Sequence, residues 1–173
     1  MKSYSKALSF IVIIAMTIIN GCNPEIIPLK GEYHNTPFEI TSTKSIDSSW
    51  SILTDLFATH GLLVKNIEKK KGLIISKKTS FIPVYTFEGN DGQLQVPGAW
   101  VVLPKVVVNE KQWNPKTIYG QWRIQITESE KGTIIKIDPV VVCTFFPNRF
   151  TSVEALGQST GKLEELIKSF IHK

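Results

Sequence analysis

Residues 119–127 read YGQWRIQIT, and residues 133–138 read TIIKID. In the first segment Trp122, Ile124 and Ile126 alternate with polar residues, which is the period of a β-strand with one buried face. The five residues between the segments, ESEKG, are polar and end in a glycine that suits a turn. The two segments therefore predict a β-hairpin whose apolar face is turned toward a core.

A second hairpin is predicted earlier in the chain. Residues 62–68 and 73–81 have the composition of strands, and the segment KKKG lies between them at residues 69–72. Gly72 supplies the positive φ that such a turn requires. Both turns lead into the pattern Lys-Gly-x-Ile-Ile, at residues 71–75 and 131–135. We therefore expect two equivalent hairpins within one sheet.

An amphipathic helix is predicted at residues 46–60, before the first of these hairpins. The apolar residues of one face recur at helical spacing: Ile46, Trp50, Leu53 and Phe57. Ser45 or Asp47 can cap the N-terminus, and Gly61 is placed to end the helix.

A second amphipathic helix is expected at the end of the chain, from about Ser159. Its apolar face consists of four residues: Leu163, Leu166, Ile167 and Phe170. Val153, Ala155 and Leu156 extend the apolar pattern upstream. Gly157 and Gly161 each cost ~1 kcal/mol inside a helix, which favours a break or a late start.

The middle stretch, residues 82–118, is the least regular. Residues 84–87, 99–103 and 106–108 have strand composition, residues 89–92 form a turn, and several prolines keep the strands short or at an edge. The order helix, hairpin, middle stretch, hairpin, helix predicts an α+β fold in which a two-layer arrangement packs an antiparallel sheet against two helices. Residues 44–173 are long enough for a single domain of this kind.

The first 22 residues have the organisation of an export signal. Lys2 and Lys6 precede an apolar stretch at residues 7–19, which is shorter than the ~20 residues of a membrane-spanning helix. The stretch ends in Ile-Asn-Gly-Cys at residues 19–22, which resembles the lipobox of bacterial lipoproteins. The resemblance implies a signal peptide at residues 1–21 and fatty acylation of Cys22. Residues 22–43 are then expected to form a tether, in which residues 36–40 can add an edge strand.

Part of the mature chain is also similar to a known class of envelope proteins. Residues 50–75 combine a helix bearing Trp50 and Leu53, a Gly-Leu-Leu-Val segment at residues 61–64 and a glycine-turned hairpin. This combination resembles the small lipoprotein domains typified by the outer-membrane assembly accessory BamC. The resemblance implies an interaction module in which no catalytic residue is known.

The residues that most often carry chemistry are scattered. His34, His60 and His172 have no metal-ligand spacing, and residues 159–162, STGK, lack the glycine frame of a phosphate-binding loop. Cys143 lies in an apolar run, and without a partner cysteine it is expected to be an inert core thiol. No catalytic residue, cofactor or metal site is therefore predicted, and the chain is not expected to be an enzyme.

The charge of the chain is unremarkable once the leader is set aside. The net charge is +5, and the loss of Lys2 and Lys6 leaves about +3. Lysines cluster at residues 69–71 and 77–78, where a turn and a strand edge are expected, so solvated loops explain them. Export also argues against nucleic acid as a partner.

Six residues form the candidate interaction surface: Trp100, Trp113, Phe145, Phe146, Arg149 and Phe150. Aromatic side chains and arginine concentrate at binding hot spots, although packing in the core also explains the tryptophans. We expect a lipid-anchored, non-enzymatic module that binds another envelope protein. The alternative is a carrier that holds a lipid or sugar in a cavity between sheet and helices. Asn23 is not the acidic residue associated with inner-membrane retention, which favours the outer membrane and its periplasmic face.

Overall fold

The computed structural model describes residues 23–34, 36–78, 84–147, 149 and 151–173. In chain order the strands are β1 (Glu25–Ile27), β2 (Phe38–Ser42), β3 (Val64–Glu68), β4 (Leu73–Ser76), β5 (Tyr85–Phe87), β6 (Val101–Leu103), β7 (Lys105–Val108), β8 (Lys111–Trp113), β9 (Thr117–Ser129), β10 (Gly132–Phe145) and β11 (Val153–Ser159). The helices are α1 (Ile46–Thr59) and α2 (Lys162–Ile171).

The long hairpin of β9 and β10 forms the centre of the fold. The two strands pair without interruption from Gly132 opposite Ser129 to Thr144 opposite Thr117. The alternating residues of β9 are buried as predicted, and Trp122 and Ile124 are completely inaccessible to solvent. The predicted hairpin is thus confirmed, and it is longer than the sequence pattern indicated.

The main sheet has the strand order β3-β4-β9-β10-β11-β6-β5. On the side of β10 opposite β9, two strands pair with it: β2 pairs with its first half and β11 pairs with its second half. The hairpin of β3 and β4 joins the sheet through β9, and Gly72 has the expected positive φ of 63°. The two predicted hairpins therefore do lie in one sheet.

The α+β class is confirmed, but the sheets are not purely antiparallel. β5 and β6 pair in parallel, because the loop between them carries the chain back before the second strand starts. A separate three-stranded sheet has the order β1-β7-β8. β5 covers most of the segment predicted as a strand at residues 84–87, and it is a strand separate from β4.

Both helices pack one apolar face on the sheet. The side chain of Ser45 caps α1 by accepting a hydrogen bond from the N–H of Ser48, and Trp50, Leu53 and Phe57 are buried as predicted. α2 starts late, at Lys162. The preceding residues 153–159, which the sequence suggested as an earlier start of this helix, instead form β11.

The space between the sheet and the helices is filled by large side chains. The largest fully buried ones are Trp122, Phe57, Phe145, Leu53, Leu56, Ile74, Leu103, Ile124, Ile126, Ile135 and Ile137. Cys143 is buried as expected, and its thiol donates a hydrogen bond to the carbonyl of Ala155. Burial raises the pKa of this thiol to about 11, which keeps it protonated and unreactive.

The segment predicted as a tether, residues 22–43, is bound to the rest of the fold along most of its described length. β1 pairs with β7, the backbone of His34 pairs with that of Ser159, and β2 pairs with β10. Backbone pairing of this kind needs few apolar side chains, so the polar, proline-containing composition gave little sign of it. Cys22 and the predicted signal peptide lie outside the described residues. Among the described residues, no helix has the length and apolar character needed to cross a bilayer.

Candidate interaction surface

The outer face of the main sheet, opposite the helices, carries an exposed apolar patch. Val142 of β10 lies opposite Tyr119 of β9 on one side and opposite Leu156 of β11 on the other. Residues paired in this way project from the same face of a sheet. Leu156 is 72% exposed, Tyr119 is 45% exposed, and Val140, two residues before Val142, is 51% exposed. We call Tyr119, Val140, Val142 and Leu156 the outer-face patch.

The two halves of β10 differ in what they present on this outer face. In the first half, Lys136 and Asp138 alternate with buried isoleucines, and Lys136 forms an ion pair with Glu39 of β2 at 2.8 Å. In the second half, Val140 and Val142 project outward while Val141 and Cys143 project into the core. Strands that are apolar on both faces are usually covered on both faces. The second half of β10 therefore presents apolar side chains on both faces of the sheet.

Two of the six residues proposed from the sequence are tryptophans that are only partly exposed. Trp100 and Trp113 are half-buried and pack against the core. The ammonium group of Lys111 lies 5.4 Å from the centre of the Trp113 ring, a cation–π distance. The indole N–H of Trp113 is buried and has no acceptor among the described residues. Packing explains most of the surface of both rings, so neither is a strong anchor for a partner.

The phenylalanine-rich segment at the end of β10 contains both buried and exposed side chains. Phe145 is fully buried, so its inclusion in the predicted surface is wrong: the alternation of β10 turns it toward the core. Phe146 is 48% exposed, and Arg149 is exposed. Phe150 lies outside the described residues. The sequence did not single out the outer-face patch, although its signal was present in the uninterrupted apolar run at residues 140–143.

The N-terminal segment is held by a buried carboxylate, that of Glu88. This side chain is only 5% exposed and follows β5 directly. It accepts hydrogen bonds from the backbone N–H groups of Lys30 (2.7 Å) and Gly31 (2.6 Å) and from the hydroxyl of Tyr33 (2.8 Å). We call this arrangement the Glu88 clamp.

The clamp changes the acidity of both of its side chains. Burial opposes ionisation of Glu88, but the hydrogen bonds from Lys30, Gly31 and Tyr33 together outweigh it and lower the pKa of the carboxyl. Burial, followed by the hydrogen bond to Glu88 and the charge of Glu88, raises the pKa of Tyr33 to about 12. The carboxylate is therefore charged and the phenol neutral at physiological pH. This is the arrangement that a structural clamp requires.

A second buried carboxylate, Glu164, joins the sheet to α2. One oxygen accepts a hydrogen bond from the indole N–H of Trp122 at 3.2 Å, and the other accepts one from the hydroxyl of Ser159 at 2.9 Å. The Ser159 oxygen in turn accepts from the N–H of Gly161 at 3.2 Å. Both oxygens of Glu164 are satisfied within the protein and shielded from solvent. We assign this group a structural role.

A groove of about 640 Å³ opens at the tip of the central hairpin. It is lined by the end of β2 and the residues after it, by the turn between β9 and β10, and by the C-terminal end of α2. It therefore lies at the end of the two layers and not between the sheet and the helices. A second, much smaller cavity of about 60 Å³ lies beside Glu88 and the N-terminal segment.

Within the described residues, no cluster of histidine, cysteine and carboxylate side chains has the composition of a metal site. Comparison of the chain with protein-family models, with curated proteins and with solved structures finds no match.

Proposed function

We propose that the chain is a lipid-anchored, non-enzymatic module that binds another protein of the bacterial cell envelope. The observation that carries this proposal is the outer-face patch, in which apolar side chains of three adjacent strands lie open to solvent at the centre of a sheet. Contiguous exposed apolar patches are frequent at contact sites between proteins.

The surroundings of the patch support a protein partner. Lys78 lies over the ring of Tyr119, with its ammonium group 5.5 Å from the ring centre, and Gln121 and Glu154 project from the same face beside Val140 and Leu156. An apolar centre with a polar and charged rim is the usual composition of protein interfaces.

The anchor is proposed from the leader and from the position of Cys22. Acyl chains on Cys22 would hold the domain at the membrane, each buried CH₂ contributing ~0.8 kcal/mol. We propose the outer membrane and its periplasmic face as the location. Mass spectrometry of the protein from its native membrane tests the anchor: we expect an N-terminus at an acylated Cys22, and a free thiol at residue 22 or an intact Met1 would rule the anchor out.

Leu156 is the residue to change in testing the interaction, because it is the most exposed member of the patch and supports little of the fold. We expect Leu156→Lys to alter the free energy of unfolding by less than about 0.5 kcal/mol and to abolish partner capture. The matched control is Leu63→Lys, which places the same charge at another exposed leucine, outside the patch.

The assay is cross-linking in intact cells from a photoreactive amino acid at residue 119, read by gel shift and mass spectrometry. We expect one discrete adduct in the wild-type protein and in Leu63→Lys, and none in Leu156→Lys. An adduct of equal yield in Leu156→Lys would show that the patch does not bind the partner.

The carrier alternative depends on a cavity between sheet and helices. The described side chains at that interface are closely packed, with Trp122 and Phe57 at its centre. We therefore favour the protein-binding function over a carrier of this design.

A further inference from the structure

The groove at the tip of the central hairpin has a composition that the protein-binding function does not explain. Thr41, Thr43 and Ser129 are hydroxyl residues of its lining, and Ile134 provides apolar surface, whereas Ile171 also lines the groove but is only 1% exposed. Its volume of about 640 Å³ falls within the range of small-molecule sites, roughly 300–1,000 Å³.

Cations outnumber anions among the groove residues. Lys44 and Lys131 line it together with one carboxylate, that of Glu130. The ion pairs found in the described part of the chain involve other lysines: Lys69, Lys71, Lys136 and Lys168. Of the two groove lysines, Lys44 is half-buried and Lys131 is exposed.

The backbone around Lys44 is fixed, so the groove wall is built and not a loose loop. The hydroxyl of Thr133 donates to the carbonyl of Lys44 at 2.7 Å, and the N–H of Lys44 donates to the hydroxyl of Ser42 at 3.1 Å. Ser42 also lies opposite Thr133 in the pairing of β2 with β10. These bonds fix the backbone from which the Lys44 side chain extends, so the groove wall needs no backbone rearrangement when a ligand binds.

We propose that this groove binds a saccharide that carries a carboxylate or a phosphate group. Lys44 and Lys131 pair with the acidic group, the hydroxyl side chains and Glu130 exchange hydrogen bonds with the sugar hydroxyls, and Ile134 contacts the apolar face of the ring. The binding itself does not depend on the proposed protein-binding function or on the lipid anchor.

The position of the groove suits a ligand on the aqueous side of the proposed membrane anchor. The groove adjoins Thr133 at one end of β10, whereas β6 joins the sheet at Gln158 and Ser159, which the register of β11 places level with Val140 and Pro139. From β6 the chain continues into β7, the strand that pairs with β1. The seven residues from Thr133 to Val140 span about 24 Å at ~3.4 Å per residue. A membrane attached close to β1 would therefore leave the groove open at the far end of the domain.

The test is a titration of the full chain in detergent micelles with three disaccharides, in which binding is measured by calorimetry and NMR. Trehalose 6-phosphate and trehalose form a matched pair that differs only in the phosphate, and N-acetylglucosaminyl-N-acetylmuramic acid supplies the carboxylate. We expect at least one of the two acidic sugars to bind with a Kd at least tenfold below that of trehalose. Binding of only one of them would support the proposal and identify the acidic group.

Variants distinguish binding in the groove from nonspecific attraction of the acidic sugars to lysines. We expect Lys44→Gln and Lys131→Gln each to raise the Kd about fivefold. Glu130→Gln should lower it, since it removes the one opposing charge. Lys70→Gln, in the exposed turn before β4, is the control and should leave the Kd unchanged.

Circular dichroism establishes that each variant is folded, and Lys131 is exposed enough for its replacement to be tolerated. The proposal is overturned if trehalose and both acidic sugars bind equally, or if none binds at roughly 10 mM. It is also overturned if Lys44→Gln and Lys131→Gln behave like Lys70→Gln.

Discussion

The Glu88 clamp predicts how firmly the N-terminal segment is attached to the domain. We consider Glu88→Gln, which keeps the shape of the side chain and removes its charge. In the wild-type protein one carboxylate accepts three hydrogen bonds, at 2.6, 2.7 and 2.8 Å. A hydrogen bond to a charged group contributes about 1.5–3 kcal/mol, and a neutral one about 1 kcal/mol.

The expected loss follows from these values. Three charged bonds at the lower limit contribute about 4.5 kcal/mol. Because Oε1 accepts from both Gly31 and Tyr33, a glutamine oxygen in its place retains two neutral bonds of about 1 kcal/mol each, so the clamp weakens by about 2.5 kcal/mol. Because the bonds hold residues 30–33 to the end of β5, we expect the loss to appear first as opening of this segment. A change of this size raises the equilibrium constant for opening of this segment roughly a hundredfold.

Hydrogen exchange is the assay, read at the amides of Lys30 and Gly31 by NMR or by mass spectrometry of the N-terminal peptide. We expect both amides to exchange roughly a hundredfold faster in Glu88→Gln, while amides in the centre of β9, which exchange only through unfolding of the whole domain, remain the best protected. Glu32→Gln is the control, because Glu32 lies exposed in the same segment. Exchange at Gly31 that is the same in Glu88→Gln, Glu32→Gln and the wild-type protein would refute the clamp.

Three further predictions concern the stability of the whole domain. Since the folded pKa of Glu88 lies below its ordinary value of 4.5, the stabilisation is complete above that pH and is lost as the pH falls through the folded value. As the pH decreases from roughly 7 to 3, the unfolding midpoint should fall more steeply for the wild-type protein than for Glu88→Gln. Parallel pH profiles of the two proteins would contradict this. Ser159→Ala removes one donor from the buried Glu164 and should cost about 2 kcal/mol in urea unfolding, whereas a loss below about 0.5 kcal/mol would show that the bond is dispensable. Gly72 and Gly61 have nearly the same φ, 63° and 64°, but a Cβ at Gly72 collides with a backbone carbonyl of β9, whereas a Cβ at Gly61 has no atom of the described residues within 4 Å. Thermal unfolding should therefore find Gly72→Ala at least ~2 kcal/mol less stable than Gly61→Ala, and equal costs would contradict the predicted collision.

The elements that the sequence predicted are those whose pattern has a local cause. Ile46, Trp50, Leu53 and Phe57 recur at helical spacing because α1 buries a single face, and the structure confirms this helix. The alternation at Trp122 follows from the single buried face of β9. In both cases the period of the apolar residues reports directly which side of the element meets the core.

β11 was missed because its pattern is ambiguous over a short length. Val153, Ala155 and Leu156 can lie on one face of a helix, yet in the structure Ala155 faces the core and Leu156 faces solvent. Pairing with β10 and β6 decides between the two, and those partners lie far away in the sequence or across a loop. Tertiary pairing of this kind leaves no periodic signal.

The candidate surface was predicted only in small part. Phe146 and Arg149 are exposed, but Phe145 is not, since adjacent residues of a strand point to opposite faces. The outer-face patch combines Tyr119 and Leu156, which are 37 positions apart in the chain and meet only through the register of three strands. The sequence shows that such residues are apolar, but only the pairing shows that they are neighbours.

The pairing of β1 with β7 also limits how far the domain can travel if Cys22 carries the lipid. Glu25, the first residue of β1, is three positions after Cys22, and three residues extend at most about 11 Å. A globular domain of this size is about 40 Å across. Any protein that meets the outer-face patch must therefore itself come close to the same bilayer, and a soluble partner confined to a more distant layer of the envelope would be out of range.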